Sequence, residues 1–264
     1  DAEAIGLFRS EFLFMDATEL PSEEEQFQAY RKVATALKGA PVIIRTLDVG
    51  GDKEIPYLHM EKEENPFMGF RAVRYCLENA DQYKVQLRAL LRAGAFGDVK
   101  IMVPLVTCVE EVRAVKALVE ECKAELEAEG MKYDENIEVG VMMETPAASL
   151  IADKLAEEAD FFSIGTNDLI GYTMCADRGN DHISNLYQVY YPSVLRSIKN
   201  IIESGVKAGI MVGMCGEAAA DPLLEPLLIS FGLEEFSMSA PSILRARKTI
   251  SQWTKAECDE LAEK

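Results

Sequence analysis

Phe161-Phe162-Ser163-Ile164-Gly165-Thr166-Asn167-Asp168-Leu169 is the stretch that decides the fold. Its first four residues form a short apolar run of strand length. Its last five form a tight turn that passes directly into a helix start. An apolar run without polar alternation belongs to a strand covered on both faces, as in a parallel sheet. Strand, turn and helix in immediate succession form the repeating unit of parallel α/β folds. Backbone N–H groups exposed at the helix start favour an anion, and Asn167 and Asp168 add an amide and a carboxylate at the same point.

Working outward, the same pattern recurs. Val42-Ile43-Ile44, Ile101-Met102-Val103, Val139 to Met142 and Ile210 to Met214 read as further buried strands, with weaker ones at Ile5 to Phe8 and Glu235 to Met238. Amphipathic helices fill the gaps. Ser22 and Glu25 make a capping box, followed by the stripe Phe27, Tyr30, Val33 and Leu37, and Gly39 ends the helix. Thr107 and Glu110 repeat the box ahead of Val112, Val115, Val119, Cys122 and Leu126, with Gly130 as the stop. Pro192 opens another helix, with Leu195, Ile198, Ile201 and Ile202 facing inward and Gly209 after its end. Phe67 to Ala95 reads as two helices. The polar stretch Asp48 to Asn65 is long for a connection and is a candidate functional loop.

This βα alternation over 264 residues predicts a single α/β domain, residues 1–264, of the TIM-type (β/α)8 barrel class. Seven strands are visible where eight are needed. The chain opens mid-pattern at Asp1, so we expect a fragment whose first strand is missing.

The formal net charge is −18, with 48% hydrophobic and 27% charged residues. Such a balance disfavours phosphate-backbone binding, which needs clustered Lys and Arg, so neither nucleic acid nor an anionic membrane surface is an expected partner. An anionic substrate needs a local cationic pocket against this field. No apolar run reaches the roughly 20 residues that cross a bilayer. Six scattered cysteines without C-x-x-C pairs suggest reduced thiols and a cytoplasmic setting. His59 and His182 are the only histidines, in contexts that suit surface or minor loop positions.

The carboxyl ends of barrel strands carry the chemistry. Arg9 and Glu11 follow the first strand here, and Arg45 and Asp48 the next. Glu144 follows Met143, Asn167 and Asp168 follow Gly165, and Cys215 and Glu217 follow Met214. Glu144 and Asp168 end neighbouring strands, so two hard oxygen donors converge, as suits Mg²⁺; the competing use of Glu144 is to cap the helix that starts at Thr145-Pro146. Arg9, Arg45, Arg71 and Arg178 bring the geometry that binds phosphate and carboxylate bidentately, and four such groups at one mouth would repel one another without an anion. Ordinary ion pairing is the alternative for Arg71. Cys215, before Gly216, is either a small apolar filler or a proton donor or nucleophile.

These motifs resemble the Enzyme I family of the bacterial phosphoenolpyruvate-dependent sugar phosphotransferase system. The resemblance rests on Ile5 to Phe12, Arg45-Thr46-Leu47-Asp48-Val49-Gly50-Gly51-Asp52-Lys53, Glu64 to Arg71, Glu144-Thr145-Pro146-Ala147-Ala148, Phe161 to Leu169, Asp177-Arg178-Gly179-Asn180-Asp181, Met214-Cys215-Gly216-Glu217 and Glu235 to Ser239. It implies a phosphoenolpyruvate-binding barrel that dimerises. Arg9, Arg45 and Arg178 would hold the phosphate with Arg71 assisting. Asn167 and the backbone at Asp168 would hold the carboxylate, Glu144 and Asp168 the Mg²⁺, and Cys215 would protonate the enolpyruvate carbon. The family's acceptor histidine lies in a separate domain, and neither His59 nor His182 has its context, so the phosphocarrier HPr would be reached through a domain outside this chain. One departure stands out: Ile170-Gly171 occupies positions where the family has polar residues. The competing readings are a relative of pyruvate phosphate dikinase or phosphoenolpyruvate synthase, and a Mg²⁺-dependent carbon–carbon lyase on a similar barrel.

Overall fold

The computed structural model describes residues 2–50 and 55–263. Seven strands alternate with helices: β1 (Ile5–Arg9), β2 (Val42–Arg45), β3 (Val99–Val103), β4 (Val139–Met143), β5 (Phe161–Gly165), β6 (Met211–Cys215) and β7 (Glu235–Ser237). They follow chain order in one sheet, β1 to β7. The β2–β3, β4–β5, β5–β6 and β6–β7 pairs are parallel. The class is therefore α/β of TIM type, with seven strands described in place of eight. Each predicted strand is present, shifted by at most a residue or two at its ends.

The chain divides into two compact units. One comprises residues 7–105 and 110–139. Its helices are α1 (Glu11–Met15), α2 (Glu23–Ala36), α3 (Val73–Glu78), α4 (Ala80–Gly94) and nearly all of α5 (Val109–Ala128). The Ser22–Glu25 capping box forms in both directions at the start of α2. Phe27, Tyr30 and Ala34 of α2 are buried, as are Leu87, Leu90 and Leu91 of α4. Removing each such leucine from water contributes about 1.5–3 kcal/mol. On α5 the predicted stripe Val112, Val115, Val119, Cys122 and Leu126 is buried throughout. The expected pair of helices between Phe67 and Ala95 appears as α3 and α4, the first preceded by a 3₁₀ turn at Pro66–Met68.

This unit is stitched by a buried polar network behind the end of β2. The Gln86 amide donates to Ser10 Oγ at 3.0 Å and to Tyr30 Oη at 3.1 Å, and its oxygen accepts from Leu47 N at 2.8 Å. Ser10 Oγ donates to the Arg45 carbonyl at 2.6 Å, and Tyr83 Oη to Thr46 Oγ1 at 3.2 Å. Buried polar groups that are all paired fix one geometry, and here they fix the backbone from Arg45 to Leu47.

The other unit comprises residues 1–6, 106–109 and 140–264. Its helices are α6 (Pro146–Leu150), α7 (Ala152–Leu155), α8 (Thr166–Met174), α9 (Pro192–Ala208), α10 (Glu225–Phe231), α11 (Ala240–Ile250) and α12 (Lys255–Ala262). On α9, Val194, Ile198, Ile201, Ile202 and Gly205 are buried. Leu195, expected inward, is only half-buried because Val194 takes its place. Gly209 closes α9 in the left-handed conformation at φ 76°, as a C-terminal glycine should. A Cβ on Gly205 would come within 2.3 Å of Val212 Cγ2, so α9 lies against the Phe162 and Val212 face of the sheet.

Strand alternation sends Phe161, Ser163 and Gly165 to the opposite face. Two rows of side chains cross that face. Ser163, Gly213 and Glu235 share one level, and Gly165, Cys215 and Ser237 share the next level toward the strand ends. The Glu235 carboxyl lies over two glycines: a Cβ on Gly213 would meet Oε2 at 2.1 Å, and one on Gly6 would meet Oε1 at 1.9 Å.

Candidate functional site

At the end of β2, the unit containing residues 7–105 builds a cluster of buried charges. Arg45 bonds Glu11 Oε1 at 2.5 Å and Asp48 Oδ2 at 3.0 Å, and Arg71 reaches Asp48 Oδ1 at 2.7 Å. Arg45 and Arg71 are 6% and 2% exposed, and Glu11 and Asp48 are each 1% exposed, so these are interior ion pairs. Gly50, at φ 104°, lets the loop approach: a Cβ there would fall 2.6 Å from Arg71 Cβ. Ala72 sits at φ 52°, ψ −128°, a region that residues with a Cβ rarely adopt, and its N–H is held by the Val49 carbonyl at 3.2 Å. Backbone strain of this kind persists only where the surroundings over-determine it, and it collects at functional sites. The Arg71 guanidinium also lies 5.6 Å from the Phe67 ring centre. Arg9, at the end of β1, is exposed.

The structure changes the account of these arginines. The sequence suggests that they repel one another until an anion arrives. Arg45 instead pairs with Glu11 and Asp48, and Arg71 shares Asp48 with it; these two carboxylates follow β1 and β2. Arg71 is ion-paired, but in the interior and not at the surface. The Gly51-Asp52-Lys53 part of the motif after Arg45 lies outside the described residues.

The second unit builds its polar cluster from the ends of β4, β5 and β6. Glu144 is 2% exposed and lies against Gly165, where a Cβ would meet Glu144 Oε2 at 2.7 Å. Thr145 caps α6, its hydroxyl accepting from Ala148 N at 3.0 Å and donating to the Val106 carbonyl at 2.8 Å. Glu144 is therefore not the cap of that helix. Asn167 and Asp168 lie in the first turn of α8, half-buried. Cys215 is 3% exposed, level with Gly165 in the β5–β6 register. Gly216 has φ 112°, and a Cβ there would strike Thr166 Oγ1 at 2.4 Å and approach Asn167 Oδ1 at 3.4 Å. The glycine thus lets the end of β6 close on the start of α8, where Thr166 Oγ1 donates to the Cys215 carbonyl at 3.4 Å. Arg178 is exposed in the Asp177–Asn180 turn, which closes through Gly179 N to Asp177 Oδ1 at 2.8 Å.

Tyr187 is a member of this cluster that sequence reading misses. Its Oη donates to the Asn167 carbonyl at 2.7 Å. Burial raises its phenol to about 12, with Arg178 lowering it and Asp168 and Glu217 raising it. Tyr187 therefore stands within electrostatic reach of all three. His59 and His182 are exposed, as their contexts suggest.

A family model described as "PEP-utilising enzyme, PEP-binding domain" matches residues 1–255. The chain belongs to this PEP-utilising family. Among curated members, the phosphoenolpyruvate-protein phosphotransferase of Priestia megaterium is 54% identical over 257 residues, covering 97% of this chain and 45% of that protein. Those of Geobacillus stearothermophilus and Bacillus subtilis strain 168 are 53% and 52% identical over 262 residues, each covering 99% of this chain, and 45% and 46% of those proteins. The chain thus spans just under half the length of these relatives. Among solved structures, a citrate lyase from Burkholderia xenovorans LB400 superposes with a TM-score of 0.54 at 14% identity, over 95% of this chain and 77% of that one; that likeness supports the fold alone. Among the described residues, no helix is long and apolar enough to cross a membrane.

Proposed function

We propose that this chain is the substrate-binding part of a phosphoenolpyruvate-protein phosphotransferase of the PEP-utilising family. The observation that carries this reading is the convergence of three strand ends: Glu144 against Gly165, and Gly216 against Thr166 and Asn167. Asn167 and the backbone N–H of Asp168 hold the substrate carboxylate. Arg9, Arg45 and Arg178 hold the phosphate, with Arg71 assisting. Asp48 keeps Arg45 and Arg71 in place by direct ion pairs.

Glu144 and Asp168 would hold a Mg²⁺ ion. Among the described residues no group of three or more His, Cys, Asp or Glu side chains forms a cage. Two carboxylates fit Mg²⁺, which keeps several waters and takes substrate phosphate oxygens as further ligands. When bound, the ion neutralises charge on the transferring phosphoryl group.

The protein's own groups position the substrate and handle a proton. The P–O bond of phosphoenolpyruvate breaks as the phosphoryl group passes to a histidine nitrogen outside these 264 residues. The enolate that remains takes the Cys215 Sγ proton on its methylene carbon and becomes pyruvate. The thiolate regains a proton from solvent. His59 and His182 are not the acceptors. The complete enzyme works in the cytoplasm as a homodimer and passes its phosphoryl group to HPr.

Calorimetric titration with phosphoenolpyruvate, with and without Mg²⁺, tests the site. Wild type binds more tightly with Mg²⁺. Asn167→Ala weakens binding roughly 10- to 100-fold, the effect of losing a hydrogen bond to a charged group. Wild-type chain that fails to bind, or an Asn167→Ala variant with unchanged affinity, overturns the reading.

A further inference from the structure

Tyr187 ends the 3₁₀ stretch Asp181–Leu186 and is half-buried. Its ring approaches α8 at Gly171, where a Cβ would lie 3.7 Å from Tyr187 Cε2. That is ordinary contact, so a Cβ fits, and a longer side chain at 171 has to turn aside from the ring. The turn between α8 and Tyr187 is internally bonded. Asn180 N donates to the Asp177 carbonyl at 3.1 Å, and His182 N to Asn180 Oδ1 at 3.0 Å. Tyr187 then ties the far end of this segment back to α8.

The tie falls on one particular peptide. The carbonyl of Asn167 and the N–H of Asp168 belong to the same planar trans unit and point in opposite directions. A hydroxyl that holds the Asn167 oxygen at 2.7 Å therefore sets the direction of the Asp168 N–H. The acceptor oxygen has a second lone pair for its helical partner, and hydrogen bonding at a peptide oxygen polarises the N–H at its other end.

We infer that Tyr187 is a positioning residue: its hydroxyl orients the Asn167–Asp168 peptide so that the Asp168 N–H meets the carboxylate of the substrate. This rests on the function proposed above, and the two fail separately. Tyr187→Phe keeps the ring and removes only the hydroxyl. In Mg²⁺ buffer, calorimetry of this variant should show phosphoenolpyruvate affinity lowered roughly three- to tenfold, the effect of one hydrogen bond. In ¹H–¹⁵N spectra without ligand, the Asp168 amide should move, with changes confined to its neighbours in the first turn of α8. Unchanged affinity, an unmoved Asp168 amide, or changes spread through β5, α8 and α9 would each overturn the positioning role while wild-type binding stands. If wild-type chain does not bind phosphoenolpyruvate, the proposed function fails and this inference falls with it.

Discussion

Each unit holds carboxylate oxygens away from water, and two of these sites, behind β2 and at Glu235, treat them in opposite ways. Behind the end of β2, Glu11 and Asp48 are each 1% exposed and bonded to Arg45 or to both Arg45 and Arg71. On the face of β6 and β7 turned away from α9, Glu235 lies over Gly6 and Gly213, and its buried Oε2 has no hydrogen-bond partner. Burial alone raises the Glu235 carboxyl to about 7. A buried acid is stabilised by pairing or by keeping its proton. In the first region the pairing also aims two guanidinium groups. In the second, glycines supply the room, and local shape does the positioning that charge does elsewhere.

The largest effect expected from this contrast is on Arg45. Arg45→Ala leaves Glu11 and Asp48 each short of a buried cation, which typically costs about 3–5 kcal/mol. Chemical denaturation should show a loss of that size together with loss of phosphoenolpyruvate binding. A variant of wild-type stability would break the comparison by showing that the pairs carry little. At the glycine-built end, Gly216→Ala forces a Cβ into Thr166 Oγ1 at a backbone angle that side chains rarely adopt. We expect a loss of about 1–3 kcal/mol and weakened binding through Asn167, with the arginine cluster unaffected. Wild-type affinity in that variant would separate shape from binding.

The smallest effect is a pH dependence at Glu235. Its folded carboxyl is raised from the ordinary 4.5 to about 7, so the native state holds the proton more tightly than the unfolded chain. Its contribution to stability is complete below about pH 4.5 and declines as pH rises through about 7. Glu235→Gln should remove that decline and gain on the order of 1–2 kcal/mol at pH 8, discounted for the residue's partial exposure. Parallel stability–pH curves for wild type and variant would show that Glu235 ionises freely and would sharpen the contrast against this account.

Much of this molecule was legible along the chain. The seven strands follow from short apolar runs, and the α5 stripe from helical periodicity, because both depend on residues a few positions apart. Strand length also fixes which residues stand at the strand ends, so Arg45, Glu144, Asn167, Asp168 and Cys215 could be named without coordinates. The use of Glu144 could not, since Glu144 and Thr145 both suit a helix cap and only the structure shows Thr145 taking that role.

Glu11 and Asp48 were visible as polar residues after strands but not as the partners of Arg45. Tyr187 carried no signal, and Glu235 was visible only as part of a strand and of the family resemblance, not as a buried acid. What the sequence by itself determined is the order of elements and the residues at their tips, because backbone geometry and local periodicity impose them. Tertiary structure alone decided which buried charge is paired, which carboxyl is raised by burial and which hydroxyl bonds the Asn167 carbonyl. Those outcomes depend on burial and on distances of a few ångströms between residues far apart in the chain, and no local pattern encodes them.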